Sequence, residues 1–289
     1  MDSLITVNPF TFELEGSDYK AAARCGCARC GAVISDRTPR REASFSDGEV
    51  FNEAFDGEFE YENARGKTQR AVRTYFRDFS GDPKECTSAL LGGKTRAEAV
   101  STINTLIGES IRMLRRAAKD LKRENRTATT RKLFLQIFRV RPEFVPECLK
   151  QTDQIKDRGD VVAVRCARVA DLLESRTLKY FCKISAKDCP DCGDDNTGHA
   201  CSSWGKHKVV CIGPDFWGDF KSNNKLSMLS VIMHEPFHVY FGKYATDHND
   251  KTGKFGGIYC IVHFVFRLHG RNIPQWMRDV CEKDMKARK

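Results

Sequence analysis

Residues 225–240 read KLSMLSVIMHEPFHVY, and within them His234-Glu235-Pro236-Phe237-His238 spells H-E-x-x-H. Leu226, Leu229, Met233, Phe237 and Tyr240 recur at intervals of three and four, the spacing of an amphipathic helix, with Ser222 and Asn223 available as caps. On a helix, residues i and i+4 share a face, so both imidazoles can reach one divalent ion while Glu235 faces its water. The pattern predicts a zinc hydrolase with His234 and His238 as ligands and Glu235 as general base. Pro236 lacks an amide proton and its ring crowds the carbonyl of Ile232, at a cost of about 3 kcal/mol in a regular helix interior. A kink just before His238 is the expected consequence.

Around this helix, the 289-residue chain is long enough for one large domain or two moderate ones. With 40% hydrophobic and 30% charged residues, a folded protein is expected rather than a disordered one. No apolar run approaches the roughly 20 residues that span a bilayer. The best, Tyr259 to Leu268, is interrupted by His263 and reads as a buried helix. Met1 to Phe10 lack both a basic segment and a continuous apolar one, so no secretory signal is legible, and export would use another route or a segment that precedes this sequence.

Thirteen cysteines cluster at both ends of the chain, with Cys25, Cys27 and Cys30 in one group and Cys182, Cys189, Cys192, Cys201 and Cys211 in another. Disulfides, a second structural zinc and unpaired thiols are the competing readings. The later group lies in a Gly/Asp/Asn/Pro-rich stretch with little periodicity, where disulfides would staple a loop, and that reading is favoured there. An odd total leaves at least one thiol unpaired in a monomer. The net charge of +9 suggests acidic partners, but its densest run, Arg112 to Arg141, reads as the solvated face of a helix. No aromatic-interleaved basic motif accompanies it, so nucleic acid is not an expected partner.

Residues 1–92 read as an irregular, Cys-rich N-terminal region with some strand. Phe51 to Tyr61, with Asp56-Gly57 as its turn, suggests a hairpin. Leu91-Gly92-Gly93 marks a boundary, and residues 93–289 form the second domain. There Thr95-Arg96-Ala97-Glu98 is a capping box opening a long helix with Val100, Ile103, Ile107, Ile111, Leu114, Ala118 and Leu121 on one stripe. A second helix carries Leu133, Phe134, Ile137 and Phe138, and a third runs from about Asp160 to Ser175. Short strands are expected at 178–183 and 208–212, and two further helices at 257–268 and 274–286.

A catalytic zinc takes three protein ligands and a water, so the third ligand decides the class. Gly242-Lys243-Tyr244 occupies the stretch where an H-E-x-x-H-x-x-G-x-x-H motif would supply a third histidine, and Glu282, the one later glutamate, sits in a helix that reads as surface. Close by stands Asp247, in Ala245-Thr246-Asp247-His248-Asn249-Asp250. Here the chain resembles the aspzincins, deuterolysin-like zinc endopeptidases whose H-E-x-x-H is followed at this distance by a Thr-x-Asp or Thr-Asp segment that supplies an aspartate ligand. Val210 to Trp217 is similar to that family's segment of a strand, a cysteine and a following Phe-Trp pair. The resemblance is specific over residues 208–260, fainter back to about 95, and does not extend to the first 90.

This resemblance implies an α+β, mainly helical, zincin-like domain with a small sheet, in which His234, His238 and Asp247 hold zinc. Glu235 would take a proton from the metal's water and deliver it to the leaving amine of a protein or peptide substrate. The family's oxyanion-stabilising tyrosine, in Asp-Tyr-x-Tyr-Gly, is missing. An ungapped comparison puts Asp250 there, and a longer loop puts Phe255-Gly256 there with Cys260 in its usual place. Neither side chain can donate that hydrogen bond at neutral pH, so Tyr259, His248 and Tyr244 are the candidate substitutes. His248 and His263 are the fallback metal ligands. Family members are mostly secreted and some bacterial relatives are delivered toxin domains, which implies a secreted or delivered effector. An alternative, motivated by Pro236 and the missing tyrosine, is a zinc-binding protein that binds or inhibits without hydrolysing. Cys25, Cys27 and Cys30 are also compatible with a metal-binding nucleic-acid module or with a pro-segment thiol that occupies the zinc's open position.

Overall fold

In the computed structural model the described residues are 58–62, 68–72, 74–145, 149, 151–152, 154–185, 187–190, 192, 199–203, 208–242 and 257–286. Among them, the N-terminal strands β1 (Glu58–Glu62) and β2 (Thr68–Val72) pair antiparallel with Glu60 opposite Arg70. β1 therefore pairs with a strand C-terminal to it, whereas the expected turn at Asp56-Gly57 and the residues before it lie outside the described ones. Seven α-helices and a three-stranded sheet follow, an α+β arrangement that is mainly helical.

Helix α1 (Arg96–Asp120) begins as its sequence dictates: the Thr95 side chain accepts from the Glu98 amide, and the Glu98 carboxylate accepts from the Thr95 amide. Such a box satisfies two of the orphan donors at the helix start. The apolar stripe of α1 packs on α3 (Arg158–Glu174) and α5 (Lys225–Phe241) in one continuous core. Buried Asn104 fastens the preceding segment onto α1, for its Oδ1 accepts from the amides of Tyr75 and Phe76 and its Nδ2 donates to the Phe76 carbonyl at 3.0 Å. Tyr75, Phe76, Phe79 and Leu91 accordingly belong to the same core as the helices. The chain enters α1 through Gly92 and Gly93, whose φ of 64° and 83° lie where a side chain is strained.

In chain order α1 is followed by α2 (Ala128–Phe138), capped by Thr127. Arg126, just before it, is the hinge of a buried ion cluster. Its Nη1 and Nη2 hold both oxygens of Asp157 at 2.7 and 2.8 Å, and Nη2 also reaches Asp160 at 2.7 Å. Asp157 is at the same time the N-cap of α3, accepting from the Asp160 amide at 3.0 Å. Burial alone raises the Asp157 pKa, but the hydrogen bonds from Arg126, the Asp160 amide and Arg123 outweigh it and leave the group below its ordinary value. The cluster also explains Gly159, since a Cβ there would stand 2.6 Å from Arg126 Nη2.

The sheet runs in the order β3 (Lys179–Phe181), β5 (Val209–Ile212), β4 (Ala200–Ser203), with β3 parallel and β4 antiparallel to the central strand. Strands β3 and β5 fall inside the expected stretches, whereas β4 has no alternating apolar pattern to announce it. Cys201 sits opposite Cys211 in the register, and disulfides Cys189–Cys211 and Cys192–Cys201 staple this region. A third disulfide, Cys86–Cys182, ties the segment before α1 to the end of β3. Short helix α4 (Pro214–Lys221) starts on Pro214 and buries Trp217, whose Nε1 donates to the Cys182 carbonyl at 2.7 Å. Helices α6 (Ile258–Leu268) and α7 (Gln275–Lys286) close the chain and are joined by Cys260–Cys281. Among the described cysteines Cys166 alone is free and it is buried, while Cys25, Cys27, Cys30 and Cys148 lie outside the described residues. No described helix is long and apolar enough to cross a membrane.

Candidate metal centre

Helix α5 differs from its expected amphipathic form in being buried on nearly every side, with Ser227 through Phe237 all inside. A helix apolar all round is a core helix, and ionisable residues within it are costly unless they have a task or a partner. Its start is fixed from two directions. Asn224, rather than Ser222 or Asn223, is the N-cap, with its side chain accepting from the Ser227 amide at 3.4 Å. Asn223 adopts a left-handed φ of 56°, which turns the chain out of α4 instead. Lys225, the first residue of α5, has Nζ 3.3 Å from the buried carboxylate of Glu109 on α1, and Arg271 pairs with the other oxygen of that group.

Pro236 does not interrupt α5, which continues to Phe241. The edge strand β4 lies along this part of the helix, and Ser202 Oγ donates to the Glu235 carbonyl at 3.3 Å. Gly242 ends the helix at φ 50°, ψ −132°, a backbone suited to glycine, and its amide donates to the His238 carbonyl.

The two imidazoles converge as the i, i+4 spacing requires. His234 Nε2 and His238 Nε2 are 3.1 Å apart, with His234 and Glu235 buried and His238 half-buried. At that separation the two nitrogens can share a proton or chelate one cation. Tetrahedral zinc, with Zn–N of roughly 2.05 Å, needs a ligand-to-ligand edge of roughly 3.3 Å. Neutral imidazoles with facing Nε2 atoms therefore fit a zinc ion by type and by spacing. Among the described residues no group of three His, Cys, Asp or Glu could hold a metal, so neither His263 nor Glu282 completes the pair. Asp247, the third ligand implied by the family resemblance, lies outside the described residues, as do Tyr244, His248, Asp250 and Phe255-Gly256.

Of the candidate oxyanion donors, Tyr259 is the one described, and its ring lies against His234 with centroids 4.5 Å apart and planes tilted by 32°. From there an aromatic row reaches the surface. Tyr259 meets Trp276 edge to face at 5.8 Å, and Trp276, 37% exposed, stacks on His199 at 5.1 Å. His199 Nε2 in turn stands 3.2 Å from Asp219 and 3.4 Å from Ser227 Oγ. His199 and Trp276 were not legible as neighbours of the centre, for they come from a loop and from α7 and no local pattern joins them.

His263, a fallback ligand by sequence, lines a cavity between α2, α6 and α7. Burial first, then the cations of Arg267 and Arg278, push its pKa from 6.5 down to about 4. An unfolded chain binds this proton near pH 6.5 and the folded one only near pH 4, so stability is complete above 6.5 and falls as pH drops between those values. With solvent screening of the half-buried ring allowed for, the expected loss is about 1–2 kcal/mol. Urea unfolding from pH 7 to pH 4 should show a shallower decline in His263→Gln than in the native chain. Parallel curves would remove His263 from the acid response.

No protein-family model, curated protein or solved structure matches this chain.

Proposed function

We propose that the chain is a zinc-dependent endopeptidase in which His234, His238 and Asp247 hold the metal and Glu235 is the general base. The single observation that carries this reading is the 3.1 Å approach of His234 Nε2 to His238 Nε2 on a buried helix that also carries a buried glutamate between them. A core helix has no packing reason to hold three ionisable side chains in five residues, whereas a metal-assisted hydrolase needs them there. Zinc bound by these ligands would lower the pKa of its water toward 7 and polarise the scissile carbonyl.

Glu235 accepts the proton released as water adds to the peptide carbonyl and delivers it to the amine as the C–N bond breaks, leaving a carboxylate and a free amine. Tyr259, whose ring already packs on His234, supplies the phenolic hydroxyl for the developing oxyanion. Tyr259→Phe is expected to lower kcat by roughly 100-fold with KM little changed, measured on one peptide substrate. An unchanged kcat would assign the ring a packing role. Four disulfides and the absence of a membrane-crossing helix among the described residues favour a secreted or delivered protein.

Cleavage of a dye-labelled unfolded protein, followed with and without a zinc chelator, tests the proposal. Activity lost on chelation and restored by zinc supports it, while chelator-insensitive cleavage, or no cleavage by zinc-loaded protein, refutes it.

A further inference from the structure

The cavity lined by His263 has a volume of about 330 Å³, within the size range of small-molecule sites. Its buried floor is apolar, formed by Ile137 of α2, Ile273, and Cys281 and Met285 of α7, with the Cys260–Cys281 disulfide holding α7 to α6. Exposed Arg139, Arg267 and Arg278, one each from the end of α2, from α6 and from α7, form its charged rim.

These guanidiniums are under-neutralised. Arg278 has Glu282 at 3.7 Å and also bonds Gln275, whereas Arg267 donates to the neutral Asn272 at 2.8 Å. Arg139 has no ion pair among the described residues, although it occupies a left-handed C-cap, φ 59°, that glycine would take at less cost. Three cations against one carboxylate leave the rim positive. Beneath it, the buried Nδ1 of His263 has no hydrogen-bond partner among the described residues, and such atoms ordinarily have one.

We infer that this cavity binds a small organic anion, an apolar body of about amino-acid size that carries one carboxylate, with the body on the Ile137–Ile273–Met285 floor and the carboxylate on Arg267 and Arg278. An inorganic anion would use the rim but leave the floor empty. A neutral apolar molecule would use the floor but leave the rim with three cations against one carboxylate. Arginine's planar fork matches a carboxylate. The inference is independent of the zinc reading.

N-acetylphenylalanine and its uncharged amide are suitable probes, titrated into the full chain while the Met285 methyl and His263 ring signals are followed by NMR. The acid should shift both signals, bind at least roughly tenfold more tightly than the amide, and lose that advantage in Arg267→Gln/Arg278→Gln. No shift at millimolar acid, equal affinity for acid and amide, undiminished binding by the double variant, or equal displacement by inorganic phosphate would each overturn the inference.

Discussion

Glu235→Gln should lower kcat on a peptide substrate by about 1000-fold while the protein still binds one zinc per chain. The substitution keeps the size and polarity of the side chain but removes its ability to accept a proton, and general-base contributions of this kind are worth about 100- to 10,000-fold. Because glutamine has the shape of glutamate and carries no charge, it should be accommodated on this buried helix without loss of fold. Steady-state kinetics paired with zinc quantification on the same sample separates the two effects. Undiminished turnover in the zinc-loaded variant would contradict the role given to Glu235, and lost zinc would make it a ligand instead of a base.

The largest effect on stability should come from Arg126→Met. Arg126 is fully buried, and its removal strands Asp157, also fully buried, and Asp160, with the half-exposed Arg123 as the remaining cation. Breaking a buried pair from one side typically costs about 3–5 kcal/mol, chiefly because a charge is left uncompensated in the interior. The N-cap of α3 is the same Asp157 carboxylate, so α3 should lose protection against hydrogen exchange along with global stability. Chemical denaturation measures the first effect, and Arg126→Met/Asp157→Asn, in which the stranded charge is also removed, should recover part of it. A loss below about 1 kcal/mol in the single variant would show that the cluster contributes little.

Much of the helical frame is legible locally. The Thr95–Glu98 box and the stripe from Val100 to Leu121 specify α1 within a residue, because cap chemistry and periodicity agree there. The stretch from Leu226 to Tyr240 likewise announces α5, though its burial does not follow from the i, i+3, i+4 pattern. Sequence periodicity identifies one apolar face, but Ser227, Ser230, His234 and Glu235 conceal how much of the remainder packs inward. Asn224 caps the helix where the sequence offers Ser222 and Asn223, since Asn223 and Asn224 are equivalent in sequence and are distinguished only when α4 must turn into α5.

Non-local features resisted reading. Strand β4 spans Ala200 to Ser203 and owes its place to pairing with β5 and to the Cys192–Cys201 and Cys189–Cys211 staples instead of to any apolar alternation. Pro214 at the first position of α4 was a usable start signal, yet eight residues are too few for periodicity to register. Disulfides in the later cysteine group were expected, but Cys182 pairs with Cys86, 96 residues away, which spacing cannot reveal. At the candidate centre the motif identified the converging histidines, while the row from Tyr259 through Trp276 to His199 depends on how α6, α7 and a loop meet.

The central claim is the identity of the metal's ligands, and X-ray absorption at the zinc edge of the zinc-loaded protein tests it most directly. Two imidazole nitrogens at roughly 2.0–2.1 Å, an oxygen shell near 2.0–2.2 Å and no sulfur are predicted, with the imidazole signal reduced in His238→Ala. A sulfur shell near 2.3 Å would move the metal to cysteines and contradict the account, as would an imidazole signal that His238→Ala leaves intact.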